Sequence, residues 1–299
     1  MSLYPQRPTF GTVLRSFASA DGLPFADALS EEDINNACKE EGVDFANGPD
    51  DVYTPAVTLW AFLAQCLSAS KSCVAAVAGV LVLRVALTLP PCAAGTGAYC
   101  KARAKLPESL LQRLTRQLGT SVESQAPDRW RWHNRRVLLA DGCELSMPDT
   151  PANQAEYPQS KSQKPGLGFP HMRLVVLLAF ATACLVDAAM GACKDKGTSE
   201  TELFRKLLGS VAAGDVIVAD RFYCTWWLVA LLRDRGADAC FRLHQKRHYD
   251  FNRGRRLGKG DHVVSWPKPQ RPEWMDEPTY QSLPDSLEMR EVEVVVTTP

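Results

Sequence analysis

Net charge is missing from this sequence: 34 lysines and arginines face 34 aspartates and glutamates. A zero balance excludes a globally basic nucleic-acid or membrane-surface binder, so any electrostatic footprint has to be local. Histidine is scarce, at five residues, and no two of the ten cysteines stand in Cys-x-x-Cys spacing, which argues against a zinc site. The first ten residues carry no basic segment followed by an apolar run, so no secretory leader is read there. Long hydrophobic runs are also absent. Residues 74–89 contain Arg84 and residues 174–186 are fewer still, so neither suits a membrane span. The first run is expected to be a buried helix and the second a buried pair of strands. Cys73, Cys184 and Cys240 lie in apolar stretches and are expected to be small core residues in a reducing cytoplasm. Gly166 and Gly168 do not make a phosphate loop, because no Gly-Lys-Ser/Thr follows them.

With 299 residues, 45% of them hydrophobic, the chain can bury one large core or two modest ones. Charge is segregated. Residues 31–51 hold eight acids against Lys39, and residues 241–260 hold seven lysines and arginines against Asp250. Residues 1–130 read as helical: Ser30 to Asp33 resembles a helix start, residues 55–68 and 72–87 are apolar-faced, and leucines 110, 111, 114 and 118 share one helical face. Residues 131–243 change texture. An apolar strand over 136–140 runs into Asp141, and a polar, proline-rich loop follows over 146–170. A hairpin is expected from 173–180 and 184–190, then a helix with Ser199 and Glu202 in capping-box spacing. A second buried strand, 215–219, ends in Asp220. A helix through Trp226, Trp227 and Leu231 and a strand over 239–243 follow. Past residue 244 the helical signal disappears, leaving a strand-rich segment and a last strand over 290–298. A strand at the very end of a chain needs neighbours, so truncation is expected.

Asp141 and Asp220 carry the chemistry. Cutting or transferring a phosphodiester requires charge neutralisation at the attacking and leaving oxygens, which divalent cations provide and carboxylates hold. Two aspartates, each delivered by an apolar strand, meet that need if the strands are neighbours. An aspartate after a strand is also a common turn or cap former. Arg253, Arg255 and Arg256, and separately Lys161 and Lys164 beside Asp141, are candidates for phosphate contacts; a solvated loop is the plain alternative. Trp226 and Trp227 are expected to be core rather than base-stacking platforms, and His171 and His262 structural.

Three blocks have a familiar order. Val137-Leu138-Leu139-Ala140-Asp141-Gly142-Cys143, the loop from Tyr157-Pro158-Gln159 through Gly166 to Phe169-Pro170, and Asp215-Val216-Ile217-Val218-Ala219-Asp220-Arg221-Phe222-Tyr223 resemble the insertion-sequence-four family of bacterial DDE transposases. Upstream, Thr58-Leu59-Trp60-Ala61-Phe62-Leu63-Ala64-Gln65, Ser72-Cys73 with Ala75-Ala76-Val77, and Thr96-Gly97-Ala98-Tyr99-Cys100-Lys101-Ala102-Arg103 look like that family's helical DNA-binding region. The resemblance covers most of residues 55–243. It implies an α/β chain: a helical DNA-binding region over 1–130, an RNase H-like mixed sheet with flanking helices over 131–243, and the start of a strand-rich insertion over 244–299. It also implies Asp141 and Asp220 as the first two acids of a magnesium- or manganese-binding triad, Arg221 among the DNA contacts, double-stranded DNA as partner, and a homodimer in the synaptic complex. The family's third acid is a glutamate within Tyr-x-x-Arg-x-x-x-Glu-x-x-x-x-x-x-Lys, and no tyrosine here is followed by that spacing. Glu291 and Glu293 lie on strand-like sequence whose alternation suits a solvated face. Cys143 stands where the family usually has a hydroxyl residue. The expectation is a DNA transposase, inactive as a truncated chain, with a non-catalytic DNA-binding remnant or inhibitor as the alternative. A phosphatase with an aspartyl nucleophile wants a second aspartate two residues on, and Cys143 occupies that place.

Overall fold

The computed structural model describes residues 29–48, 50–160, 162, 164, 166–193 and 198–296, and the chain divides into two compact units, residues 1–118 and 119–299. The first unit is helical. Its helices are α1 (Glu31–Glu40), α2 (Pro55–Leu67), α3 (Cys73–Ala86), α4 (Gly97–Arg103) and the first part of α5 (Glu108–Ser124). Starts are set by side-chain caps: Ser30 and Asp33 form a capping box on α1, Thr54 caps α2 ahead of Pro55, and Ser72 caps α3. One core joins Ile34, Ala37, Leu59, Trp60, Leu110 and Leu114, and a second joins Tyr53, Ala61, Val77, Val80 and Tyr99. Helix α3 is not the buried helix its composition suggests. It buries Ala76, Val77, Val80 and Leu83 against α2 and α4, while Val74 and Val85 are 66% and 74% exposed. Apolar content cannot distinguish a helix covered all round from one covered on a single face.

Polar residues of the first and third amino-terminal motifs are used internally. The carbonyl oxygen of the Gln65 side chain accepts hydrogen bonds from Tyr99 Oη at 2.6 Å and Arg103 Nη1 at 2.9 Å, while Gln65 Nε2 donates to the Lys71 carbonyl at 2.9 Å. This buried network ties α2 to α4 and to the turn before α3.

The second unit contains a five-stranded mixed sheet in the order β3-β2-β1-β4-β5, built from β1 (Val137–Ser146), β2 (His171–Ala179), β3 (Leu185–Ala192), β4 (Val216–Ala219) and β5 (Asp238–Phe241). β1, β2 and β3 are antiparallel neighbours, and β1, β4 and β5 are parallel. This mixed α/β arrangement with flanking helices is compatible with an RNase H-like fold. Short helix α6 (Pro151–Glu156) interrupts the proline-rich loop, α7 (Glu200–Lys206) leads toward β4, and α8 (Trp226–Asp234) joins β4 to β5. Leu138, Ala140, Val175, Leu177, Ile217, Leu203, Phe204, Leu207, Leu228 and Leu232 make the core between sheet and helices.

Beyond residue 244 lie β6 (Arg255–Gly258), β7 (Asp261–Pro267), α9 (Glu277–Ser282) and β8 (Ser286–Val292), with the strands forming a separate antiparallel sheet in the order β6-β7-β8. Helix α8 serves both cores, since Trp226, Val229 and Ala230 pack with Trp266, Met275, Leu283 and Leu287 of this second sheet region. Trp226 donates from Nε1 to the Trp266 carbonyl at 3.0 Å, and Trp227 meets Trp226 edge-on, so both tryptophans are packing residues as expected. Two sequence expectations fail here. A helix, α9, exists where none was read, and the last strand spans 286–292 rather than 290–298, because Leu287 and Met289 supply its packed face while Val294, Val295 and Val296 stay exposed. All ten cysteines are free thiols, but the buried ones are Cys38 and Cys224; Cys240, expected inside, is exposed on edge strand β5.

Candidate functional site

The register of β1 against β4 places the two candidate aspartates. Ala140 pairs with Ala219, so Asp141 and Asp220 follow a matched pair on adjacent parallel strands whose backbones run about 5 Å apart. Asp220 ends its strand as read from sequence, whereas Asp141 does not: β1 runs on to Ser146, paired with β2 as far as His171. What stops at Asp141 is the pairing with β4, and burial falls from Ala140 to the exposed Asp141 at the same point. The strand leaves the core there, which is why an apolar run ends in the sequence although the strand does not.

Each aspartate uses one oxygen to fasten its own turn. Asp141 Oδ1 accepts from the Gly142 N–H at 2.8 Å, and Asp220 Oδ1 accepts from the Phe222 N–H at 2.8 Å. Neither carboxylate makes an ion pair among the described residues. Two neighbouring, solvent-facing, unneutralised carboxylates fit a divalent cation of the magnesium class, which keeps several waters and takes one or two protein carboxylates. Among the described residues no three His, Cys, Asp or Glu side chains stand at metal-holding spacing.

A third acid, missed in the sequence, borders the pair. Glu200 opens α7, where Ser199 caps the helix and Glu202 closes the capping box, its Oε2 accepting from the Ser199 N–H at 2.8 Å. With Glu202 so engaged, Glu200 lies over β1: a Cβ built on Gly142 would come within 2.8 Å of both Cγ and Cδ of Glu200. Glycine after Asp141 is therefore what admits this side chain. Burial pushes the Glu200 carboxyl above its ordinary value; Arg173 draws it back, and the charges of Asp220, Asp141 and Glu144 add to the rise. Beneath it, Tyr223 is fully buried and packs edge-on against Phe204 at 5.5 Å. Its hydroxyl is pushed far up by burial, then by Glu200, Asp141 and Asp220. Arg173 spans the neighbouring edge, donating to Glu144 at 2.8 Å and to the Thr198 carbonyl at 3.2 Å, and holds the Glu144 carboxyl below the usual carboxylate range. The visible clue to Glu200 was the Asp-Gly pair of β1 together with an acid at the head of the intervening helix.

The candidate DNA contacts separate. Arg221 follows Asp220 in a 3-10 turn and donates from Nη1 to Gln245 at 2.8 Å. Lys164 is exposed on a loop organised by Gln159, whose Oε1 accepts from the Gly166 and Gly168 N–H groups; Lys161 lies outside the described residues. That loop leaves the hairpin at Ser146 and His171, about 17 Å along the strand from Asp141. Arg253, Arg255 and Arg256 are exposed on or before β6, in the second sheet, where Arg255 and Arg256 alternate between faces. Glu291 is not on a solvated face: its side chain is 10% exposed and accepts from His262 Nε2 and Trp266 Nε1, both at 3.0 Å. His262 is buried and structural, as expected.

No helix among the described residues is long and apolar enough to cross a membrane. No protein-family model matches the chain, and no solved structure matches it. Over 168 residues it is 27% identical to the transposase InsG of insertion sequence element IS4 from Escherichia coli strain K12, an alignment that spans 56% of this chain and 37% of that protein. The chain thus spans little more than a third of the curated relative it matches, and the similarity supports a distant relationship to a transposase.

Proposed function

We propose that this chain belongs to a DNA transposase that cuts and rejoins phosphodiesters at transposon ends, with Asp141 and Asp220 as carboxylate ligands of magnesium or manganese. The observation that carries this reading is the placement of the two aspartates after a matched register pair on adjacent parallel strands. The distant similarity to an insertion-sequence transposase supplies the substrate class. A divalent cation bound there supplies electrostatic stabilisation of the attacking and leaving oxygens. The residues' own part is to hold carboxylate oxygens rigidly at a sheet edge, while Arg221 offers charge beside Asp220 for a backbone phosphate. In the first step water attacks phosphorus and the P–O3′ bond breaks, leaving a 3′-hydroxyl. In the second that hydroxyl attacks a target phosphodiester and displaces the target's 3′-oxygen. Two DNA ends have to be held together for this, so the working form is a homodimer on double-stranded DNA.

The test is binding and nicking of a plasmid carrying the DNA that flanks the gene, assayed with and without magnesium or manganese. Saturable DNA binding that the cation strengthens in the wild type but not in Asp141→Asn or Asp220→Asn is expected, with no nicking by this chain. DNA binding that no cation affects would move the chain to the non-catalytic binding reading, and absence of DNA binding would sink the proposal.

A further inference from the structure

We infer that Cys73 and Cys100 are a redox-active pair, which a peroxide converts into a disulfide joining the first turn of α3 to α4. The inference is independent of the cation-site reading. Cys73 is the first residue of α3, and its sulfur is met by donors from two other helices. Gln65 Nε2 of α2 stands 3.7 Å from Cys73 Sγ, and Arg103 Nη1 of α4 stands 3.8 Å from it. A third donor is the Cys100 thiol, which is hydrogen-bonded to Cys73. Cys100 and Arg103 lie one turn apart on α4 and so share the face turned to Cys73. Both sulfurs are half-buried against the core of Tyr53, Val77, Val80 and Tyr99, open to a small oxidant yet held in place by packing.

The two sulfurs have different surroundings and therefore different parts. A helix N-terminus, a guanidinium and an amide donor surround Cys73, which suits a sulfur carrying negative charge, the nucleophilic form. The Cys100 thiol keeps its proton: its hydrogen bond to Cys73 holds it above its ordinary value, and burial adds to the rise. Cys73 thus attacks first. Its sulfur bonds to one oxygen of the peroxide, the O–O bond breaks, and the other oxygen leaves as hydroxide and is protonated to water, giving a sulfenic acid. Cys100 then attacks that sulfur. The S–S bond forms, the S–O bond breaks, and the hydroxyl leaves with the Cys100 proton as a second water. Two thiols lose two electrons and two protons, and the peroxide takes them up. The disulfide reinforces the link that Gln65 already makes between α2, α4 and the turn before α3, and a small thiol reverses it by exchange.

Exposure supplies the competing expectation, because Cys66, Cys143 and Cys240 are the exposed thiols and would oxidise first if access alone governed. The test treats the whole folded chain with one equivalent of hydrogen peroxide, blocks the remaining thiols after unfolding, and maps disulfides by mass spectrometry of a digest made without reductant. The expected main product is a peptide linking Cys73 to Cys100, lighter by two hydrogens than its two parts and separated by dithiothreitol. In Cys100→Ser the link is lost and Cys73 stops at the sulfenic acid, where dimedone traps it. In Cys73→Ser the link is lost and Cys100 stays a free thiol. A main product that joins another pair, such as Cys92 with Cys100, overturns the inference, as does oxidation confined to the exposed thiols or the absence of any disulfide. Folding of both serine variants is checked by circular dichroism, and should either fail to fold the wild-type map decides by itself.

Discussion

At His262 both ring nitrogens meet acceptors. Nδ1 is 2.8 Å from the Arg253 carbonyl and Nε2 is 3.0 Å from a Glu291 carboxylate oxygen, so the ring makes both bonds only as the imidazolium. The hydrogen bond to Glu291 raises the His262 pKa above its ordinary 6.5, helped by the Arg253 carbonyl and by the charges of Glu291 and Asp250, against the penalty of burial. A raised histidine contributes stability that is complete below 6.5 and is lost as pH climbs through the higher folded value. Thermal unfolding followed by tryptophan fluorescence should therefore show the wild-type midpoint falling as pH rises above neutrality. His262→Gln should be less stable at low pH and lose that dependence. A variant whose midpoint tracks the wild type over the whole range rules out the imidazolium. The same contacts explain why Glu291 is no metal ligand despite its carboxylate: both of its oxygens are engaged by His262 and Trp266.

Strands β1 and β4 are aligned by an ion pair placed just before each of them. Arg136 Nε donates to Asp215 Oδ1 at 2.9 Å and Nη2 to Oδ2 at 2.6 Å, while Asp215 also accepts from the Ala212 N–H at 2.8 Å. The Val216 N–H donates to the Arg136 carbonyl at 2.9 Å, and the ladder from Val137 and Val216 to Ala140 and Ala219 follows. A bidentate pair at the start of a short parallel ladder fixes which residues arrive side by side at its far end. Asp215→Ala strands the arginine in a largely enclosed position and is expected to cost about 3 kcal/mol in urea unfolding. A loss below about 1 kcal/mol would show that the register does not depend on this pair.

For the molecule as a whole, zero net charge leaves the proposed DNA contact to local patches. Arg255 and Arg256 alternate across β6, so one DNA backbone cannot engage both from a single face; Arg253, ahead of the strand, is free of that constraint. Replacing all three by alanine is expected to weaken DNA binding and to make the plot of log affinity against log salt shallower by about 1 to 2. Unchanged affinity and slope would remove β6 from the interface. The segregated charge also gives the first unit a different character, since Glu40 and Glu41 of its acidic stretch are engaged by Arg113 at 2.5 Å each.

Local chemistry made much of this chain legible in one dimension. Ser30, Ser72 and Ser199 cap helices because a short hydroxyl side chain satisfies a free N–H within a few residues, and the apolar runs before Asp141 and Asp220 are strands that send Leu138, Ala140 and Ile217 into the core. The mixed sheet followed from the order of those elements. Pairing between distant segments determined the rest. β1 continues past Asp141 because β2 pairs with it there, the final strand sits over residues 286–292 because β7 fixes its register, and Glu291 turns inward because His262 and Trp266 lie opposite. Glu200 reads as an ordinary first-turn acid, since helix chemistry alone accounts for it. Its nearness to Asp141 and Asp220 arises only when α7 packs across a glycine on another strand, a contact between residues 58 positions apart.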